Sequence, residues 1–178
     1  EKAVDYYENT EHKTNAMDGY NNLGETLLLV GEWDRAERAL TRALELADEA
    51  DQRPAAVAAV LDSLGKLEML KGNLIAASDL LMQAVSKASE HQNKWYEGQA
   101  LRTLCQCQLL NHQSQEAFET ARQALALGEK IGDRQAICES RLLLAETHLQ
   151  NADLDNCSAE LEMVADETSH DPNDLAIA

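Results

Sequence analysis

Aromatic side chains are scarce in this chain, 4% of its residues, and proline occurs only twice in 178 positions. So few prolines leave long stretches free for helices, and the shortage of aromatic and β-branched residues removes the usual material of a sheet. Four cysteines are too few for a disulfide framework at this length, and neither a signal peptide nor an apolar run long enough to cross a bilayer is visible. A reducing cytosol is the expected setting. Basic residues are also short, 15 against 32 acidic ones, and the resulting formal charge of −17 argues against a nucleic-acid backbone or an anionic membrane surface as a partner. What remains is 44% hydrophobic and rich in Ala, Leu, Glu, Gln and Arg, a composition that builds helices.

The chain repeats itself. Tyr20, Leu23, Gly24 and Leu27 are followed by a turn at Gly31-Glu32-Trp33 and then by Ala36, Leu40 and Ala43. The same places hold Leu61, Leu64, Gly65, Gly72-Asn73-Leu74, Ala77, Leu81 and Ala84, then Leu101, Leu104, Cys105, Ala117, Ala121 and Ala124, then Leu144, Ala145, Cys157, Leu161 and Val164. Apolar residues recur at three and four positions within each unit, so each unit reads as two helices joined by a short polar turn. The small residues at Gly24, Gly65, Cys105 and Ala145, and at Ala36, Ala77, Ala117 and Cys157, mark where two backbones approach closely.

A ladder of basic residues, Lys13, Arg53, Lys94 and Arg134, marks the joints. A cation near a helix start opposes the macrodipole, so a local carboxylate, or a carbonyl of the preceding helix end, is expected to receive it in a stacking role. Four units follow: 13–52, 53–93, 94–133 and 134–167. Residues 1–12 read as the second helix of a preceding hairpin, which makes the chain a fragment of a longer protein. Pro54 suits the first turn of its helix. Residues 168–178 read as an acidic tail or truncated linker, since the 28 residues from Asn151 carry eight acids and no Lys or Arg.

These positions resemble the tetratricopeptide repeat (TPR) pattern, with Tyr20, Leu23-Gly24, Leu27, Ala36, Leu40 and Ala43 the best match. The resemblance covers nearly the whole chain, at a period of about 40 residues rather than roughly 34, the longer variety seen in signalling adaptors, kinesin light chains and bacterial regulators. It implies an all-α, right-handed superhelical solenoid of antiparallel helical hairpins, with each first helix lining a concave groove that holds peptides or partner helices. Departures are local: Arg141 takes the first large position of the fourth unit, His112 and Ala152 replace the turn glycine, and Ser114 replaces Trp33, Leu74 and Leu154. Units three and four are therefore expected to pack less tightly.

On a helical wheel the residues opposite the core face of the first helices include Asn21, Asn22, Glu25 and Leu29, then Asp62, Ser63, Lys66 and Leu70, then Arg102, Thr103, Gln106 and Leu110, then Leu143, Glu146 and Leu149. Leu29, Leu70 and Leu110 lie beside Leu28, Met69 and Leu109 and form an apolar margin, unless they merely close the helix ends. Lys66 and Arg102 together are placed to hold a ligand carboxylate, with Asn22 for a peptide backbone, unless Asp62 and Glu146 neutralise them. The family's carboxylate clamp for chaperone tails is not present in this frame, where Asn21, Glu25, Ser63, Gln99 and Thr103 stand in its places.

Other chemistry finds little footing. Cys105 and Cys107 point about 200° apart on a helix and cannot share a metal ion, so neither metal nor cofactor is expected. No histidine lies in a nucleophile motif, and Asn156-Cys157-Ser158, formally a glycosylation acceptor, falls at the start of a packed helix. The chain therefore reads as a non-catalytic interaction module for a protein or peptide, the docking or sensing part of a larger signalling or regulatory protein. The alternative is a self-associating segment that makes a homodimer of an attached cyclase, kinase or transcription factor.

Overall fold

The computed structural model describes residues 13–50 and 54–169, which form eight helices and no strand. They are α1 (Lys13–Leu29), α2 (Trp33–Ala50), α3 (Pro54–Leu70), α4 (Leu74–Glu90), α5 (Lys94–Leu110), α6 (Ser114–Ile131), α7 (Arg134–Gln150) and α8 (Leu154–Ser169). Short connections fold each odd helix back on the next even one, and the four hairpins stack in chain order. The first helices α1, α3, α5 and α7 also touch one another in succession, whereas among the described residues the second helices do not. The first-helix side is thus the inner, shorter side of an all-α solenoid. Residues 1–12, 51–53, with Arg53 of the ladder, and 170–178 lie outside the described residues, and Thr168 and Ser169 belong to α8.

One device ends the helices. Gly31 N–H bonds the Leu28 carbonyl at 3.1 Å and Glu32 N–H bonds that of Leu27 at 2.9 Å, the paired closure of a Schellman turn. The same pair of bonds recurs at Gly72, Gln92, His112, Gly132 and Ala152. All six residues adopt left-handed backbone, and His112 and Ala152 do so at φ 57° despite carrying a Cβ. The departures from the turn glycine therefore leave the turn intact and place the cost in local conformation.

Packing inside the hairpins is a matched exchange of volume. A Cβ on Gly24 would collide with Leu40 Cδ2, and one on Gly65 would lie 2.6 Å from Leu81 Cγ. In the third hairpin the glycine becomes Cys105 and the facing leucine becomes Ala121, both fully buried, while the Cys105 thiol donates to the Ala117 carbonyl at 3.3 Å. The larger side chain thus changes helix between units two and three, and both positions stay buried. In unit four the same two positions hold Ala145, which is buried, and Leu161, which is 47% exposed, and no residue of α8 is buried among those described.

The joint ladder is also corrected in part. Lys94 meets a local carboxylate, Glu97 at 2.6 Å, but Arg134 donates to the Glu167 carbonyl at the end of α8, not to the helix before it. The carbonyls of that preceding end are already taken by the Schellman bonds, and the antiparallel hairpin sets the end of α8 beside the start of α7. Asn93 and Asp133, one residue earlier, accept the N–H of Tyr96 and Ala136 as N-caps, at 3.1 and 3.0 Å.

Candidate protein-interaction groove

The inner face carries a polar chain that crosses every joint between first helices. Glu25 on α1 accepts from Ser63 at 3.3 Å and lies 3.5 Å from Lys66, both on α3. Lys66 pairs with Asp62 at 2.8 Å, and Asp62 accepts from Gln99 on α5 at 3.1 Å. Arg102 on α5 then reaches Glu139 on α7 at 2.8 Å. Each joint thus has at least one polar link, supplied by residues that a single helix shows only as the side away from its hairpin core.

Depth separates these residues. Asp62, Ser63, Thr103 and Leu143 are buried, Thr103 in the wall of an inner-face cavity and Leu143 in the hydrophobic core with Cys105 and Ala121. The wheel placed them correctly in angle, but the neighbouring first helices close over them. Gln106, Asn22 and Glu146 are exposed, and Asn21 and Glu25 are half-buried. Burial acts to lower the Lys66 pKa, but Asp62 and then Glu25 outweigh it and hold the ammonium above its ordinary value. Lys66 and Arg102 are therefore committed to protein carboxylates, and removing Lys66 alone would strand a buried charge on Asp62, at a cost of about 3–5 kcal/mol. The neutralising part expected of Asp62 and Glu146 is taken by Asp62 and Glu25 at Lys66 and by Glu139 at Arg102.

The apolar margin divides in two. Leu109 is buried, and Leu28 and Met69 pack into the hairpin cores. Leu29, Leu70 and Leu110 end their helices at 89%, 48% and 57% exposure, so they do not close the helix ends but stand in solvent on successive units, and Leu149, one residue before the end of α7, is 57% exposed beside them in the fourth. Such a row is a surface of the kind partners use.

Wheel reasoning missed Trp95. It is the second residue of α5, half-exposed, and its indole meets the Tyr96 ring edge-on at 5.0 Å. It stands between two cavities on the inner face, one of about 280 Å³ toward α1 and one of about 360 Å³ toward α7. Trp95 precedes the large residue Leu101 by six positions, outside the window counted on the wheel. The available signal was its departure from the repeat, since the first and fourth units hold Thr14 and Gln135 there.

The cysteines are packing groups. Burial, then Glu146, push the Cys105 thiol up to about 12, and Cys107 is raised by burial while donating to the Leu74 carbonyl at 3.4 Å. His148, in the last turn of α7, lies 3.2 Å from Asp153 and meets the Phe118 ring edge-on. Among the described residues no group of three or more His, Cys, Asp or Glu is placed to hold a metal ion, and no helix is long and apolar enough to cross a membrane.

No family model matches the chain, and no curated protein matches it in sequence. Solved structures do match in fold. BtubC (BKLC) from P. vanneervenii superposes with a TM-score of 0.81 at 13% identity, covering 94% of this chain and 70% of its own. Aspartyl phosphate phosphatase F from Bacillus subtilis gives 0.84 at 12%, covering 94% of this chain but only 44% of its own. A putative kinesin light chain from Podosopora anserina with nearly identical TPR-like repeats gives 0.71 at 18%, covering 94% and 82%. At these identities the likeness is one of fold, and the fold is TPR-like.

Proposed function

We propose that this chain is a non-catalytic protein-interaction module that takes a peptide or partner helix in the groove lined by α1, α3, α5 and α7. It serves as the docking or sensing part of a larger signalling or regulatory protein. The observation that carries this is the inner face itself: four exposed leucines on successive units and a half-exposed Trp95 between two open cavities. Aromatic and large apolar residues on a concave polar surface are the usual anchors of recognition. Asn21, Asn22, Glu25, Leu29, Leu70, Gln106, Leu110 and Glu146 form the contact surface. Asp62, Lys66 and Arg102 hold its floor rigid. The TPR-like fold supports the reading, as a scaffold that presents such a groove.

The test is selection of random displayed peptides on the folded chain, followed by calorimetry. Binding is expected to fall at least about tenfold in Leu70→Glu with Leu110→Glu, and to persist in Ile75→Glu, which alters an exposed residue of the outer layer. Equal loss in both, or no selected binder, sinks the groove as the recognition face. Self-association is the second reading, favoured by Leu154 and Leu161, exposed seven residues apart on one side of α8. Concentration-dependent mass in light scattering, abolished by Leu161→Glu, would establish it.

A further inference from the structure

Exposed apolar side chains gather on one edge of the array. Every first helix runs the same way, so the turns inside the four hairpins share that edge. The first turn there exposes Leu29, Val30 and Trp33, the second Leu70, the third Leu110 and the fourth Leu154. Among the described residues the opposite edge, where hairpins join, exposes only Trp95 and Ile131 of this kind. The polar groups of the turn edge are already used, and they tie neighbouring units together. Lys71 reaches Glu37 on α2 at 3.0 Å, and the Cys107 thiol donates to the Leu74 carbonyl at 3.4 Å. Gln150 donates to the Leu109 carbonyl at 3.3 Å and accepts from Ser114 at 3.0 Å. Glu32 pairs with Arg35, and Asn111 donates to Gln113. Asp34 and Asp155 stand in the first turns of α2 and α8, where the helix dipole favours them.

Such an edge offers a partner apolar contact and few free hydrogen-bonding groups. An extended or polyproline segment brings backbone N–H and C=O groups that need partners once covered, whereas an α-helix satisfies its own. Spacing points the same way. Neighbouring first helices touch, which sets their axes about 8–10 Å apart, and seven residues of helix advance about 10.5 Å. Like-facing residues of a strand recur at about 6.7 Å, out of step with the units. A helix laid across the four turns at a modest tilt therefore meets one unit per heptad, over about 22 residues. With the charges of the edge paired or capped, nothing there asks for a charged residue, and the ties between turns hold the row in place before anything binds. We infer that the turn edge seats an amphipathic helix of the partner, with an apolar residue at every seventh position and recognition that does not depend on charge. The inference rests on the proposed docking role of the leucine row and narrows its partner to a helix.

The probe is a blocked peptide of about 22 residues, with leucine at every seventh position, alanine three places after each leucine, and glutamine or serine elsewhere. It is titrated into the chain labelled at its leucine and valine methyls. The Leu29, Val30, Leu70 and Leu110 signals are expected to move while the peptide gains helix by circular dichroism. A peptide of the same composition with its leucines scrambled off the heptad should bind at least about tenfold more weakly, and added salt should leave the binding in place. Val30→Glu with Leu154→Glu, both at exposed positions, should weaken it by at least about tenfold. Trp95→Ala should not, because Trp95 and Leu110 stand at opposite ends of α5, about 22 Å apart. Stationary methyl signals, or an equal response to the scrambled peptide, would overturn the helix seat. Signals that move with protein concentration alone, together with a doubled mass, would give the edge to a second copy and overturn it as well. Displayed peptides whose binding falls with Trp95→Ala and ignores the edge pair would overturn it while leaving the groove reading intact. A library without binders would instead fail that reading, and the methyl titration would still decide the edge.

Discussion

A methyl group added at Gly65 tests how the hairpins are held together. Its Cβ would stand 2.6 Å from Leu81 Cγ and 2.7 Å from Cδ2, about 1 Å inside ordinary carbon contact. The obstructing atom is the branch point of a fully buried leucine, so the side chain cannot simply swing aside. Overpacking of this kind costs about 1–3 kcal/mol, and replacing a helical glycine by alanine returns about 1 kcal/mol. With the clash on Cγ the upper half of the first range applies, and Gly65→Ala is expected to destabilise by about 1–2 kcal/mol. Leu81→Ala alone should cost about 2–5 kcal/mol through its cavity. The double variant places the new Cβ in that cavity, reproducing the arrangement of Cys105 facing Ala121. Its cost should fall short of the sum of the single changes by at least about 1 kcal/mol. Urea unfolding followed by circular dichroism at constant slope measures all four corners. A Gly65→Ala protein as stable as the parent, or changes that add within about 0.5 kcal/mol, would refute the exchange.

The turns give a second prediction: Gly72→Ala, where a Cβ meets nothing within 4 Å but φ is +82°, should cost about 1 kcal/mol. His112→Gly and Ala152→Gly should each gain about 0.5 kcal/mol at the urea midpoint. Lys66 gives a third. Its folded pKa is raised above 10.5, so its contribution is fully present below that value and is lost as pH rises through the folded pKa. Side-chain NMR should show Lys66 titrating above an ordinary lysine, and Glu25→Gln should lower its midpoint. Cys105 gives a fourth: with its pKa at about 12, only on the order of one thiol in 10⁴ is ionised at pH 8. A thiol reagent should therefore label it only as the array unfolds, and rapid labelling in the native protein would contradict the packing described.

The sequence by itself determined the hairpins. Spacings of three and four residues fix which side of each helix is apolar, and recurrence of Gly24, Gly65, Cys105 and Ala145 fixes where the helices meet. These are properties of one helix and its immediate partner, so they survive in one dimension. The tertiary structure decided what happens across the joints. The wheel places Glu25, Asp62, Lys66, Arg102 and Glu139 at equivalent angles. Only the approach of α1, α3, α5 and α7 makes them partners, so the expected ligand clamp of Lys66 and Arg102 became the floor of the groove. The same approach buries Asp62 and Thr103 while leaving Gln106 in solvent, a difference of depth that angle does not encode. Trp95 gains its role in the same way, because the two cavities beside it are made by residues of different helices, which only their approach in space brings together.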